Sequence, residues 1–242
     1  YRGTNMEYPM ITAVSSGVIP WLLEATIAHE VGHNWFYGIL GSNERQYPWI
    51  DEGMNTFFEE KYMEKYAPEF TMWDNDSYEY AAAERSEEPI NTPSDSLTDD
   101  NYYICAYAKP ALSFSYLEQY LGKDTLDRII KNYYQEWKFK HPQPADLRRA
   151  FEAGTNRDLD WFFDHLIETN ERLDYALTRH QCCQAHQQAS IQLRNKGDFA
   201  APVLVSALDE QDSVLAEQWV EALPKGQDTT LQLPEATRYW VD

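Results

Sequence analysis

"HEVGH", residues 29–33, followed by "WIDEG", residues 49–53, decides how this chain is read. Two histidines four residues apart on a helix project from one face, about a turn apart, and can share a metal ion. Zinc in a catalytic site takes three protein ligands and keeps one tetrahedral position open. Eighteen residues separate His33 from Glu52, enough for a loop that folds the next helix back on the first and delivers Glu52 as the third ligand. Asp51 is the competing carboxylate, and the spacing favours Glu52. Glu30 lies beside His29, close to the metal without ligating it, where it can take a proton from the attacking water and pass it to the leaving amine.

Trp21 to about Ile39 is predicted as a helix, with Pro20 just before it and Gly41 just after. Ile27, Val31 and the aromatics near Trp35 are its expected buried face. A second helix is predicted from about Asp51 to Tyr66, stopping at Pro68. The opening stretch "YRGTNMEYPMITAVSS" suits an edge strand or extended segment. Residues 69–100, rich in Asp, Glu and proline, read as a surface excursion between helices. Helical periodicity returns in "ICAYAKPALSFSYLEQYLG", "KDTLDRIIKNYYQEWKF", "QPADLRRAFEAG" and "RDLDWFFDHLIE".

After about Arg172 the pattern changes to short strand-like runs parted by turn signals such as Asn195-Lys196-Gly197 and Pro224-Lys225-Gly226. This spacing suits a small β-sandwich. The fold class expected is therefore α+β, with a mostly helical domain over residues 1–172 and a β-sandwich over residues 173–242.

Of 242 residues, 43% are hydrophobic and 14% aromatic, ample for a core. Twenty Lys and Arg stand against 40 Asp and Glu, a net charge of -20, which excludes nucleic acid as the expected partner and mildly favours a monomer. Three cysteines, Cys105, Cys182 and Cys183, cannot build a disulfide framework and leave the redox compartment open. No run reaches the roughly 18 apolar residues that span a bilayer. The chain opens on Tyr1, directly on motif-like sequence, and reads as a segment of a longer protein. His141, His165, His180 and His186 are read as surface or packing residues.

HEVGHNW followed by the Glu of WIDEG resembles the gluzincin metallopeptidases, specifically the aminopeptidase N and leukotriene hydrolase family. "GTNMEYP", residues 3–9, is similar to that family's Gly-x-Met-Glu-Asn exopeptidase motif, and "YAKPA", residues 107–111, to its Tyr-x-Lys-Gly-Ala segment. "DLRRAFEAGTNRDLDWFFDHLI" resembles the end of the family's catalytic domain, and the β-rich tail resembles its third domain. The resemblance implies a thermolysin-like catalytic domain with one Zn2+ held by His29, His33 and Glu52, and Glu30 as general base. It implies that Glu7 binds the free α-amine of a peptide and that Tyr107 donates a hydrogen bond to the tetrahedral oxyanion. Glu59, seven residues beyond Glu52 on the same helical face, is the expected carboxylate behind a ligand histidine.

Two departures stand out. Thr4 and Tyr8 occupy the positions of the motif's Gly and Asn, so contacts to the substrate backbone are expected to differ there. Pro110 replaces the Gly after Lys109, which fits if a helix begins at that point. Asn34 and Trp35 are expected to shape the pocket floor, with core packing an equal account of Trp35, and Tyr102 is read as a packing residue. The leading functional expectation is a zinc aminopeptidase acting on peptides with a free amino terminus. Two alternatives are a gluzincin endopeptidase and a catalytically incomplete zinc-binding fragment of a larger peptidase.

Overall fold

The computed structural model describes residues 5–16, 19–69, 74–183 and 188–241. Helix α1, Pro20–Gly32, begins with Pro20 in its first turn, where a missing N–H costs nothing. It ends seven residues short of the predicted Ile39. The Asn34 side-chain amide donates to the Val31 carbonyl at 2.7 Å, competing with helix continuation, and Tyr37 turns left-handed at φ 92°. The chain then crosses to a bridge between Leu40 and Lys140.

The expected buried face of α1 is corrected as well. Ile27, Val31 and Trp35 are 45%, 43% and 49% exposed and line an open apolar groove. What α1 buries is its small side: Ala25 packs with Met63 and Ala67, and Gly32 lies so close to Asn55 that an added Cβ would sit 2.0 Å from Asn55 Oδ1. A large side chain cannot occupy that seam.

Trp49–Gly53 forms a π-helical turn that runs straight into α2, Met54–Tyr66. Trp49 is fully buried, its ring 6.2 Å from Phe114 and its indole N–H donating to Asn91 Oδ1 at 2.9 Å. Phe114 also meets Phe57, Phe151 and Phe162. This aromatic cluster anchors the WIDEG turn from beneath.

Residues 69–100 are not a purely surface excursion. They hold helix α3, Asp74–Glu84, and buried Ala81 and Ile90, whose apolar side chains outweigh the charges around them. Helix α4, Asp99–Tyr103, is capped by Thr98, whose hydroxyl accepts from Asn101 N. A second π-helical turn, Ile104–Ala108, joins it to α5, Lys109–Leu121, with Pro110 in the first turn of α5. Helix α6, Lys123–Trp137, buries Leu126, Ile129, Ile130 and Tyr133. Helix α7, Pro144–Thr155, starts on a reciprocal Gln143–Asp146 cap and stops at left-handed Asn156. A third π-helical stretch follows at Trp161–Ile167.

At the start of the chain Met6 and Ala13 pair as an antiparallel bridge around a tight turn at left-handed Met10, so residues 5–16 fold back instead of running on as one extended strand. Tyr1–Thr4, including Gly3 and Thr4 of the motif, lie outside the described residues, as does His186.

The chain divides into two compact units, Tyr1–Asn170 and Glu171–Asp242. The second consists of two three-stranded antiparallel sheets. One is ordered β1 (Tyr175–Cys183), β2 (Gln188–Asn195), β5 (Asp228–Pro234); the other β4 (Val214–Val220), β3 (Val203–Leu208), β6 (Arg238–Val241). Alternate residues of β2, Ala189, Ile191 and Leu193, share a core with Val203, Val205 and Ala207 of β3. Asn195 is fully buried and donates to the carbonyls of Phe199 and Leu223, satisfying the turn backbone that its sequence signal marks.

Candidate metal centre

α1 and the two π-helical turns, Trp49–Gly53 and Ile104–Ala108, carry the site. Such turns insert an extra residue per turn and are frequent where side chains must be re-aimed. Close approach makes this possible: a Cβ on Gly53 would lie 3.0 Å from the Ala106 carbonyl oxygen and 2.5 Å from Pro110 Cγ in the first turn of α5, so Gly lets the first π-helical turn meet the second and the start of α5.

His29 Nε2 and His33 Nε2 are 3.0 Å apart, and each lies 3.1 Å from Glu52 Oε2. Behind them, His29 Nδ1 lies 2.8 Å from Glu59 Oε2, and His33 Nδ1 lies 2.8 Å from Asp51 Oδ1 and 3.3 Å from the Phe36 carbonyl. Carboxylates can only accept, so each Nδ1 is held as the N–H donor. In the neutral rings both Nε2 lone pairs therefore point at the same place as Glu52 Oε2. Three converging acceptors need a cation between them. Ligand atoms about 2.0–2.1 Å from a tetrahedral zinc are roughly 3.3 Å apart, close to the triangle observed. The residues present thus fit the metal.

The electrostatics agree. Burial disfavours charge on His29, yet its hydrogen bonds to Glu52 and Glu59 overcome this and raise it to about 9. His33, buried but bonded to Asp51 and Glu52, rises to about 11. Glu52 is lowered to about 2, the two histidines outweighing its burial. The cage is built for positive charge.

Glu30 is buried, and its Oε2 has no hydrogen-bond partner. Burial raises it to about 7, against the pull of the two histidines. It is a carboxylate aimed into the site and not consumed by it. Tyr107 donates to Glu52 Oε1 at 2.6 Å, and its ring lies 5.8 Å from that of His29. Burial and the Glu52 charge hold its phenol well above the usual range, hence protonated and able to donate. Tyr102, read from sequence as packing, lies edge-on to Tyr107 at 5.9 Å and lines the same cavity of about 500 Å³. Glu7 lines that cavity too, with a carboxylate oxygen within 4.8 Å of His33 and Asp51 ligand atoms. The structure thus brings Glu7, Glu30, Tyr107 and Glu59 around the three converging ligand atoms. Trp35 is not in this cavity, whereas the exposed Asn34 lines a neighbouring one with Glu7 and Glu30. Asp51, weighed in the sequence only as a rival ligand, serves instead as the partner of His33. Of the other histidines, His141 donates from Nδ1 to the Gly41 carbonyl at 2.8 Å, and His180 lies against Tyr239.

Two helix-borne histidines, the Glu52 carboxylate converging with them and the unspent acid Glu30 beside them have the arrangement of a metallopeptidase centre. The chain belongs to peptidase family M1, whose domain matches residues 18–166. The alanine/arginine aminopeptidase of Saccharomyces cerevisiae is 24% identical over 141 residues, 55% of this chain and 16% of that protein. Aminopeptidase M1 of Arabidopsis thaliana is 24% identical over 167 residues, 66% of this chain and 19% of that protein. The chain therefore spans less than a fifth of either relative. Among solved structures, aminopeptidase A of Legionella pneumophila in complex with aspartic acid superposes with a TM-score of 0.62 at 14% identity, over 90% of this chain and 25% of that one. A mutant M1 zinc metallopeptidase of Deinococcus radiodurans bound to a Tyr-Ser-Ala substrate gives 0.54 at 15%, over 69% and 37%. At these identities the likeness is one of fold. Among the described residues no helix is long and apolar enough to cross a membrane.

Proposed function

We propose that this chain is the catalytic part of a zinc aminopeptidase that removes amino-terminal residues from peptides. One Zn2+ per chain would be held by His29, His33 and Glu52, supplying Lewis-acid polarisation of the scissile carbonyl and of the attacking water. Glu30 accepts the water's proton at its free oxygen and returns it to the departing amine. Glu7 takes the substrate ammonium, which fixes the cut one residue in. Tyr107 shifts its hydrogen bond from Glu52 toward the developing oxyanion. Asp51 and Glu59 hold the two imidazoles by their Nδ1 atoms. In domain terms, residues 1–172 are read as a thermolysin-like catalytic domain and residues 173–242 as a β-sandwich domain. The protein is read as a monomer, with peptides carrying a free amino terminus as its partners.

The observation that carries this reading is the orphaned buried oxygen of Glu30 beside three converging ligand atoms. Glu30→Gln removes a base and no ligand. It is expected to lower peptide turnover at least a hundredfold, within the typical range for general-base catalysis, with zinc content unchanged by metal analysis. Turnover surviving in that variant would remove Glu30 from the mechanism.

A further inference from the structure

The metal-centre cavity is strongly acidic: Glu7, Glu30, Glu44, Asp51 and Glu52 all line it. Arg45 is the one arginine or lysine on its wall among the described residues. In such surroundings an arginine would be expected to spend itself on the nearest carboxylate, yet its guanidinium has no ion pair or hydrogen bond among the described residues.

The backbone beneath it is fixed. Asn43 Oδ1 accepts from the N–H groups of Arg45 and Gln46, both at 3.2 Å, and the Asn43 carbonyl accepts from Gln46 and Tyr47. The Arg45 carbonyl accepts from the Ser94 N–H at 2.9 Å and from its hydroxyl at 3.2 Å. Arg45 thus lines the cavity from an anchored backbone, and its guanidinium carries five N–H donors that no described residue takes up. The group that matches such a fork is a carboxylate, which it can hold through two parallel hydrogen bonds.

We propose that Arg45 is a specificity-determining residue that takes a carboxylate of the substrate. This rests on the peptidase reading above, and it extends that reading from the amine end of the peptide to an anionic group. That carboxylate belongs either to an acidic first side chain or to the carboxy terminus of a short peptide.

The two sources are separable with matched probes. In the zinc-loaded Glu30→Gln chain, titration calorimetry would compare Glu-Ala-amide with Gln-Ala-amide, and Ala-Ala with Ala-Ala-amide. One pair should show its carboxylate member binding about tenfold tighter, as a hydrogen-bonded charge pair contributes. Arg45→Gln should bring that ratio close to one, and Arg45→Lys, which keeps charge without the fork, should leave an intermediate ratio. No carboxylate preference in either pair, or one that survives Arg45→Gln, would overturn the proposal. Cleavage of Ala-Ala-amide by the unsubstituted chain, followed in parallel, reports on the peptidase reading alone.

Discussion

Asp51 shows how much a single side chain contributes to the centre. With side chains 1% exposed on both partners, the Asp51–His33 pair has no water to substitute for a lost hydrogen bond. Asp51→Asn can keep a hydrogen-bonding group there but loses the charge that favours the donor tautomer. Zinc affinity, measured by chelator competition, is expected to fall roughly ten- to hundredfold. Unchanged affinity would make the pair a packing feature only. The carboxylates around His29 and His33 raise both imidazoles above their ordinary range, so each favours the protonated form more than a free histidine does, whereas zinc requires both neutral. Metal uptake should release protons near neutral pH, and affinity should strengthen as pH rises. Calorimetry in buffers of different ionisation enthalpy reads this directly, and release of none would contradict the charge state inferred for the cage. At this scale, spacing on a helix singles out His29, Glu30, His33 and Glu52, because a four-residue interval fixes a shared face. The same reasoning does not reach Asp51, which is aimed by a π-helical turn with no distinctive periodicity in the sequence, or Tyr102, which sits on the short helix α4.

Among the elements, the decisive contact is the one at Gly53. A methyl group there would meet Pro110 Cγ at 2.5 Å and Pro110 Cβ at 2.6 Å, and the proline ring cannot swing aside. Gly53→Ala should destabilise the chain by about 1–3 kcal/mol in denaturant titrations. It should also weaken zinc binding, because the turn that yields is the one carrying Glu52. Loss of stability with zinc affinity intact would mean that α5 moves instead. The sequence marks most helices well: α6 and α7 each have an apolar stripe and clear ends. It misplaces the end of α1 and its buried face, because Ile27, Val31 and Trp35 have helical periodicity but lie on an apolar groove. The seam that α1 does bury is made of Ala25 and Gly32, residues too small to register as a hydrophobic face. Helix α3 is hidden in an acidic stretch for the converse reason: net charge masks its buried Ala81, as it masks the buried Ile90 that follows the helix.

For the whole molecule, composition and the change of pattern near Arg172 point to a helical part followed by a stranded part, and the compact units divide between Asn170 and Glu171. The strands were legible from alternation and turn residues, whereas their order was not: pairing of β2 with β5 and of β3 with β6 joins segments distant in sequence. On the function proposed above, this chain cuts peptides one residue from a free amino terminus. Mass spectrometry of the products tests this, from one peptide offered twice, with a free and with an acetylated amino terminus, to the zinc-replete chain. Stepwise loss of single residues from the free peptide alone is the expected result. Equal cleavage of both forms, or of neither, would contradict it.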